Sequence, residues 1–152
     1  MDPGAPAASR RGGAALYSYS DQERNKVFVR YGNSAIGYHH FASKHNLRNR
    51  VVFEHLMATK PKREVGARLE YEILAADPND GDIFERILIV SQQATRTDDN
   101  MWQTPDGGYI GVITACCKGK TKCPEFVNRL RSYDRTTRHR GCNDCGSREP
   151  SP

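Results

Sequence analysis

The sequence predicts a small α+β protein in which an antiparallel sheet of about four strands packs against two or three helices. Several segments alternate apolar and polar residues with a period of two, which is typical of strands with one buried face. Other segments repeat apolar residues every three to four positions, as amphipathic helices do. Turn-forming clusters of Asp, Asn, Gly and Pro separate the predicted strands, which favours antiparallel connections.

The 152 residues are enough for one domain, with 37% hydrophobic and 27% charged residues. Residues 1–20 are rich in Ala, Gly, Pro and Ser, so we predict a disordered N-terminal tail. Residues 21–135 are predicted to form the single α+β domain. Residues 136–152 form an irregular basic tail that contains Cys and His.

The predicted strands are residues 26–31, 68–74, 83–91 and 109–115. Leu69, Tyr71 and Ile73 alternate with charged residues, so this strand has one buried face. The turn at residues 77–82 would join it to the next strand as a hairpin. Helices are predicted at residues 34–46, with Ser34 as N-cap, and at 124–133, where Pro124 suits a first turn. Residues 51–58 could form a helix or a strand, and their composition favours a helix.

No apolar run is long enough to cross a membrane, and the N-terminus lacks the apolar stretch of a secretory signal. We therefore expect an intracellular protein, cytoplasmic or nuclear or both, in a reducing compartment. Thiols there stay free or bind metal, so the five cysteines are not interpreted as a disulfide set.

All five cysteines lie near the C-terminus, with a histidine among them, and zinc is the cofactor that this grouping suggests. A tetrahedral zinc site needs four such ligands, and a two-residue gap lets a short turn present one pair. We predict that Cys123, Cys142 and Cys145 share one zinc with a fourth ligand. The six candidates are Cys116, Cys117, Cys123, His139, Cys142 and Cys145. Free thiols and a redox pair remain open alternatives.

The charge is distributed in three blocks along the chain. Residues 1–65 carry a net +6, residues 66–106 a net −6 and residues 107–152 a net +5. Phosphate groups attract basic clusters largely without sequence specificity. The C-terminal block is therefore predicted to bind RNA or single strands as one patch, apart from the acidic middle. Its members are Lys118, Lys120, Lys122, Arg129, Arg131, Tyr133, Arg135, Arg138 and Arg140. A second basic group, Arg48, Arg50, Lys60, Lys62 and Arg63, either extends this surface or acts as an import signal.

No catalytic motif accompanies the histidines, so we predict no catalytic residue and no enzymatic activity. The leading hypothesis is a nucleic-acid-binding regulatory or accessory protein that uses its basic C-terminal surface, with zinc stabilisation as an option. The alternative is a protein-interaction module that contacts a partner through its sheet or its acidic middle. An enzyme of unknown class is the third option. In general make-up the chain is similar to small viral accessory proteins, a resemblance of composition that assigns no residue a role.

Overall fold

The computed structural model describes residues 10–131, and these residues confirm the α+β class. The sheets are antiparallel, as predicted, but there are two of them in the described chain rather than one. The strands are β1 (Ala15–Ser20), β2 (Lys26–Arg30), β3 (Arg63–Val65), β4 (Arg68–Asp77), β5 (Asp80–Gln92) and β6 (Gly111–Cys117). The helices are α1 (Arg10–Gly13), α2 (Gly37–His45) and α3 (Arg50–Glu54), with 3₁₀ helices at His55–Ala58 and Glu125–Arg129.

The larger sheet has the strand order β3-β4-β5-β6. Strands β4 and β5 form the predicted hairpin, in which Tyr71 pairs with Ile89 and Ile73 with Ile87. β5 then pairs with β6, and Ile87 lies opposite Cys117. β4 and β5 run further than β6 and β3 do, so residues 74–77 and 80–85 form a two-stranded end without a third strand in the described chain.

Strand β1 corrects the prediction of a disordered tail for residues 15–20, while residues 1–9 lie outside the described residues. Tyr17 and Tyr19 alternate along it, and both pack against the core. Arg50 stacks over these two rings, 4.7 Å and 5.6 Å from their centroids. β1 also pairs with β2, so residues 26–30 belong to this small sheet and not to the larger one, where we had placed them. The larger sheet takes β3 as its fourth strand instead.

The core lies between the inner face of the larger sheet and the helices. Phe41 of α2, Phe53 of α3 and Leu56 are fully buried with Tyr71 and Ile89 of the sheet. Val27 and Val29 of β2 join the same core, so the small sheet packs there together with the helices. None of the described helices is long and apolar enough to span a membrane.

Two of the predicted helices differ from the prediction in their ends. α2 begins at Gly37 rather than at Ser34, because Asn33 closes a turn with the backbone N–H groups of residues 35 and 36. Gly37 has φ +80°, and a Cβ there would meet the carbonyl oxygen of Arg30. The predicted helix at residues 124–133 is only a short 3₁₀ helix in its described part.

Candidate nucleic-acid interface

The outer face of the larger sheet is formed by every second residue of β4, β5 and β6. Buried residues such as Leu69, Tyr71 and Ile73 point to the core, so the residues between them point outwards. The pairing places Glu72, Leu88 and Cys116 in one cross-strand row of this face. Glu70, Val90 and Thr114 form the next row. The members of these rows on β4 and β5 line the surface described below.

A groove of about 440 Å³ lies on this face, and its lining combines three cations, two carboxylates and several apolar or aromatic residues. Lys62 and Arg63 border it from the β3 side, and Lys118 borders it from the end of β6. Leu88 and Val90 form its apolar floor, and both are only partly buried. We call this surface the outer groove.

Glu72 lies in the middle of the outer groove and holds its cations in place. It accepts a hydrogen bond of 2.7 Å from Lys62 Nζ and one of 3.0 Å from Arg86 Nη1. Lys118 Nζ is 3.8 Å from the same carboxylate. The hydrogen bonds from Lys62 and then Arg86 hold the pKa of Glu72 below its usual range, so it is ionised near neutral pH. The three cations keep 53–60% of their side-chain surface exposed, so they remain open to solvent anions.

The described part of the predicted basic patch is not one surface. Lys118 reaches the outer groove, whereas Lys120 forms an ion pair with Glu85. Lys122 Nζ donates to the carbonyl oxygen of Ser43, 3.2 Å away. The prediction that these lysines lie apart from the acidic middle is therefore wrong, because Glu72 and Glu85 belong to that middle.

The remaining members of the predicted patch lie further along the chain. Arg129 and Arg131 are exposed, at and after the last 3₁₀ helix. The others lie outside the described residues, namely Tyr133, Arg135, Arg138 and Arg140.

The cysteines also differ from the prediction. Cys117 and Cys123 form a disulfide with a Cα–Cα distance of 5.2 Å, within the usual range. A sulfur in a disulfide is not a thiolate, so in this state neither residue can bind zinc as predicted. Cys116 is a free thiol, and burial raises its pKa, which makes it a poor nucleophile.

The other zinc candidates, His139, Cys142 and Cys145, lie outside the described residues. Within residues 10–131 no three His, Cys, Asp or Glu side chains group closely enough to hold a metal ion. A zinc site in the C-terminal segment therefore stays a prediction.

The disulfide closes a loop that contains Lys118, Lys120 and Lys122. Two histidines of α2 contact this loop and the strand before it. His45 Nδ1 lies 2.7 Å from the carbonyl oxygen of Thr121 in the loop. His40 contacts the carbonyl oxygen of Ser34 at 2.9 Å and Thr114 Oγ1 at 3.3 Å. Burial lowers the pKa of His40. The loop is thus fixed against the helix, and Lys118 leaves β6 in a defined direction.

No protein-family model matches this sequence, and no curated protein sequence matches it. Sequence reasoning had identified Lys62, Arg63 and Lys118 but had missed Arg86 and Glu72. Both lie at polar positions in strands whose polar and apolar residues alternate. This alternation shows which residues face outwards, but it does not show which strands are neighbours in the sheet.

Proposed function

We propose that the protein is a non-enzymatic binder of single-stranded nucleic acid that uses the outer groove. The observation that carries this proposal is the combination of exposed cations with an apolar floor on one open sheet face. Lys62, Arg63 and Lys118 line the groove, and Leu88 and Val90 form its floor. Cations attract the phosphates, and apolar surface accepts the faces of unpaired bases.

The balance of charge supports binding of an anion at this face. Four cations, Lys62, Arg63, Arg86 and Lys118, stand against two carboxylates, Glu70 and Glu72. Phosphates would compete with Glu72 for these cations. Lys62, Arg86 and Lys118 all share the carboxylate of Glu72, so a phosphate that binds one of them leaves this carboxylate paired with the other two. The release of counterions from the nucleic acid then favours binding at low salt.

Phe84 provides an aromatic side chain at the end of the same face. It pairs with Ala76 of β4 and is 50% exposed. Arg86 lies two residues along the same strand, on the same side and about 7 Å away. A base stacked on Phe84 would therefore have its phosphate close to a guanidinium, an arrangement that favours single strands over duplexes.

The test is a fluorescence titration with a labelled single-stranded oligonucleotide at several salt concentrations. The variant Lys62→Gln/Lys118→Gln removes two groove cations, and Lys26→Gln/Lys44→Gln is a charge-matched control elsewhere on the surface. We expect the groove variant to lower the slope of log K against log salt by about 1.4, since each contact with a single strand contributes roughly 0.7. The control should leave the slope close to that of the parent.

Equal slopes for the groove variant and the control would refute the proposal. A third variant, Arg129→Gln/Arg131→Gln, tests the C-terminal surface that the sequence favoured. If only this third variant lowers the slope, nucleic acid binds there and not in the outer groove.

A second candidate function is a protein-interaction module, and the end of the β4–β5 hairpin favours it. Leu74, Ile83 and Phe84 are 59%, 48% and 50% exposed there, although large apolar side chains are usually covered. After nuclease treatment, this function requires a protein that co-purifies in stoichiometric amount with the parent. The variant Leu74→Ser/Ile83→Ser should lose that protein, whereas Lys62→Gln/Lys118→Gln should retain it.

A further inference from the structure

The far end of β4 carries a row of backbone groups that have no partner strand among residues 10–131. β3 pairs only with residues 68–70 of β4, and the backbone N–H of Lys62 donates to the carbonyl oxygen of Glu70 at 2.8 Å. Backbone groups of successive strand residues alternate between the two sides of a strand, so every second residue after Glu70 points to this same edge. These residues are Glu72, Leu74 and Ala76. We call residues 72–76 of β4 the open edge.

The open edge lacks the features by which proteins usually protect an exposed strand from pairing. Such strands carry Lys or Pro, contain a bulge, or lie under a loop. Leu74 is 59% exposed, Ala76 is also exposed, and the pairing with β5 is regular as far as Ala76. On the other edge of the same hairpin, Asp80 and Asp82 bear like charges that would repel a second copy of that edge. The open edge is therefore the one that is suited to pair.

The open edge is complementary to itself. When Ala75 lies opposite the partner's Ala75, Leu74 lies opposite the partner's Ala76, and the reverse holds by two-fold symmetry. Leu74 and Ala76 then exchange about four N–H···O=C hydrogen bonds across the axis. The two Ala75 residues form a narrow pair with Cα atoms about 4.5 Å apart, which their small side chains allow. Pro78, which has no N–H group, ends this ladder without an unpaired donor.

The charges around the open edge favour the same arrangement. Antiparallel pairing places the hairpin turn of one copy beside the start of β3 in the other copy. The turn is acidic, with Asp77, Asp80 and Asp82. The segment that leads into β3 is basic and exposed, with Lys60, Lys62 and Arg63. Opposite charges therefore meet at both ends of the paired strands, and no like charges lie opposite each other between them.

We propose that two copies of this chain pair through their open edges, so that their larger sheets form one continuous antiparallel sheet. The two-fold axis is perpendicular to the sheet, and both outer faces lie on the same side. Glu72, in the middle of one outer groove, then lies about six residues along the strands from the partner's Glu72, or roughly 20 Å away. The two outer grooves form one track. This last consequence rests on the proposed function, whereas the pairing itself does not.

Sedimentation velocity of the full chain without nucleic acid tests the pairing, from low to high micromolar concentration. We expect the mass to rise from 17.1 kDa to twice that value. Leu74→Lys puts a charge on the open edge, and Ala76→Pro removes an edge N–H without removing a bond to β5. Each change acts twice in a symmetric pair, so each folded variant should raise the Kd of the dimer about tenfold or more. Phe84→Lys is the control, because it adds the same charge to an exposed apolar residue of β5, and it should leave this Kd unchanged.

An engineered cysteine tests the register of the pairing. Ala75→Cys places two thiols opposite each other across the axis, at a Cα separation within the range of a disulfide. In the control Ala76→Cys, each thiol lies opposite the partner's Leu74, and the two thiol-bearing residues are diagonal neighbours, about 7–8 Å apart. With oxidised glutathione, Ala75→Cys should form more covalent dimer than the parent chain does, and Ala76→Cys should not.

The outcomes separate the pairing from the proposed function. A chain that stays monomeric at every concentration refutes the pairing and leaves the open edge to a strand of another protein. A dimer that survives both edge variants, or that is lost equally in Phe84→Lys, also refutes it. None of these results affects the salt slope by which the proposed function is measured.

The joined track has a test of its own. A single-stranded oligonucleotide of about 24 nucleotides should bind more tightly to the parent than to Ala76→Pro, whereas one of about 8 nucleotides should bind both equally. Equal binding of the longer oligonucleotide to both chains would refute the joined track.

Discussion

Removing the charge of Asp106 should destabilise the fold, because it leaves a buried arginine without a counter-ion. Arg30 is 2% exposed, and its guanidinium donates to both carboxylate oxygens of Asp106, at 2.9 and 3.2 Å. It also donates to the carbonyl oxygens of Gly13 and Tyr109, so it joins the start of β1 and the loop before β6 to strand β2. Asp106→Asn keeps an oxygen that can accept from the backbone N–H of Gly108, removes the charge, and replaces the oxygen that accepts from Arg30 Nη1 with an amide donor.

The size of the effect follows from the unequal exposure of the pair. Two unit charges about 4 Å apart attract by about 4 kcal/mol at an effective dielectric constant near 20. Asp106 is 55% exposed, so solvent screens a large part of this attraction. We therefore expect the free energy of unfolding to fall by about 2 kcal/mol, after roughly half of the attraction is discounted for screening. This corresponds to a decrease in Tm of roughly 8 °C for a chain of this size.

Urea unfolding of parent and variant, followed by circular dichroism, measures the difference. Glu125→Gln is the matched control, because Glu125 forms a comparable two-oxygen contact with Arg48 at 2.7 and 2.8 Å. Both partners of that pair are about half exposed, so neither charge becomes buried and unpaired. We expect the control to lose less than half as much stability as Asp106→Asn. Equal losses in the two variants would show that burial of Arg30 does not determine the cost.

Three further predictions concern the disulfide, the histidines and one glycine. Reduction of the Cys117–Cys123 disulfide should lower the free energy of unfolding by about 2 kcal/mol, the value expected for so short a loop. Thermal melts with and without reductant measure this difference in stability. Burial lowers the pKa of His40 and of His55, so below about pH 7 the unfolded chain binds more protons than the folded chain. The free energy of unfolding should therefore fall as the pH decreases from about 7 towards 5. The variant His40→Gln should weaken this pH dependence. Gly111 has φ +83°, and a Cβ at this position would overlap a backbone carbonyl of β2. Gly66 also has a positive φ, +59°, but the space around it is open. Gly111→Ala should therefore lower Tm far more than Gly66→Ala.

The local pattern of the chain was sufficient to predict three strands of the larger sheet and the hairpin between two of them. Leu69, Tyr71 and Ile73 all point to the core, as their alternation with charged residues indicates. Phe41, which lies in the helix predicted at residues 34–46, is fully buried. Period and turn chemistry are local properties, so they can be read without knowledge of the partner strands.

Strand partners and cross-links could not be predicted in this way. The composition of residues 1–20, rich in Ala, Gly, Pro and Ser, favoured a tail, and the strand pattern of Tyr17 and Tyr19 within it was missed. The disulfide was missed because the expected compartment decided against it, although Cys117 and Cys123 are only 6 residues apart. The outer groove depends on residues of β3, β4, β5 and the end of β6. These residues lie close together only because strands that are distant in the sequence pair with one another.

The fold brings the basic block at residues 107–152 next to the acidic block at residues 66–106. Because β6 runs antiparallel to β5 and Cys117 lies opposite Ile87, the chain after β6 turns back beside the acidic half of the hairpin. Lys120 reaches Glu85, whose side chain is only 10% exposed, so this lysine compensates a nearly buried carboxylate. Lys118 lies 3.8 Å from Glu72, which already accepts from two other cations. The ion pair of Lys118 is the weaker of the two, so in the proposed function Lys118 can bind a phosphate instead at little cost in free energy. If Lys120 left Glu85, a nearly buried carboxylate would lose its counter-ion. Two lysines of one basic run therefore have different environments: Lys120 is paired with a nearly buried carboxylate, and Lys118 is the more loosely held of the two.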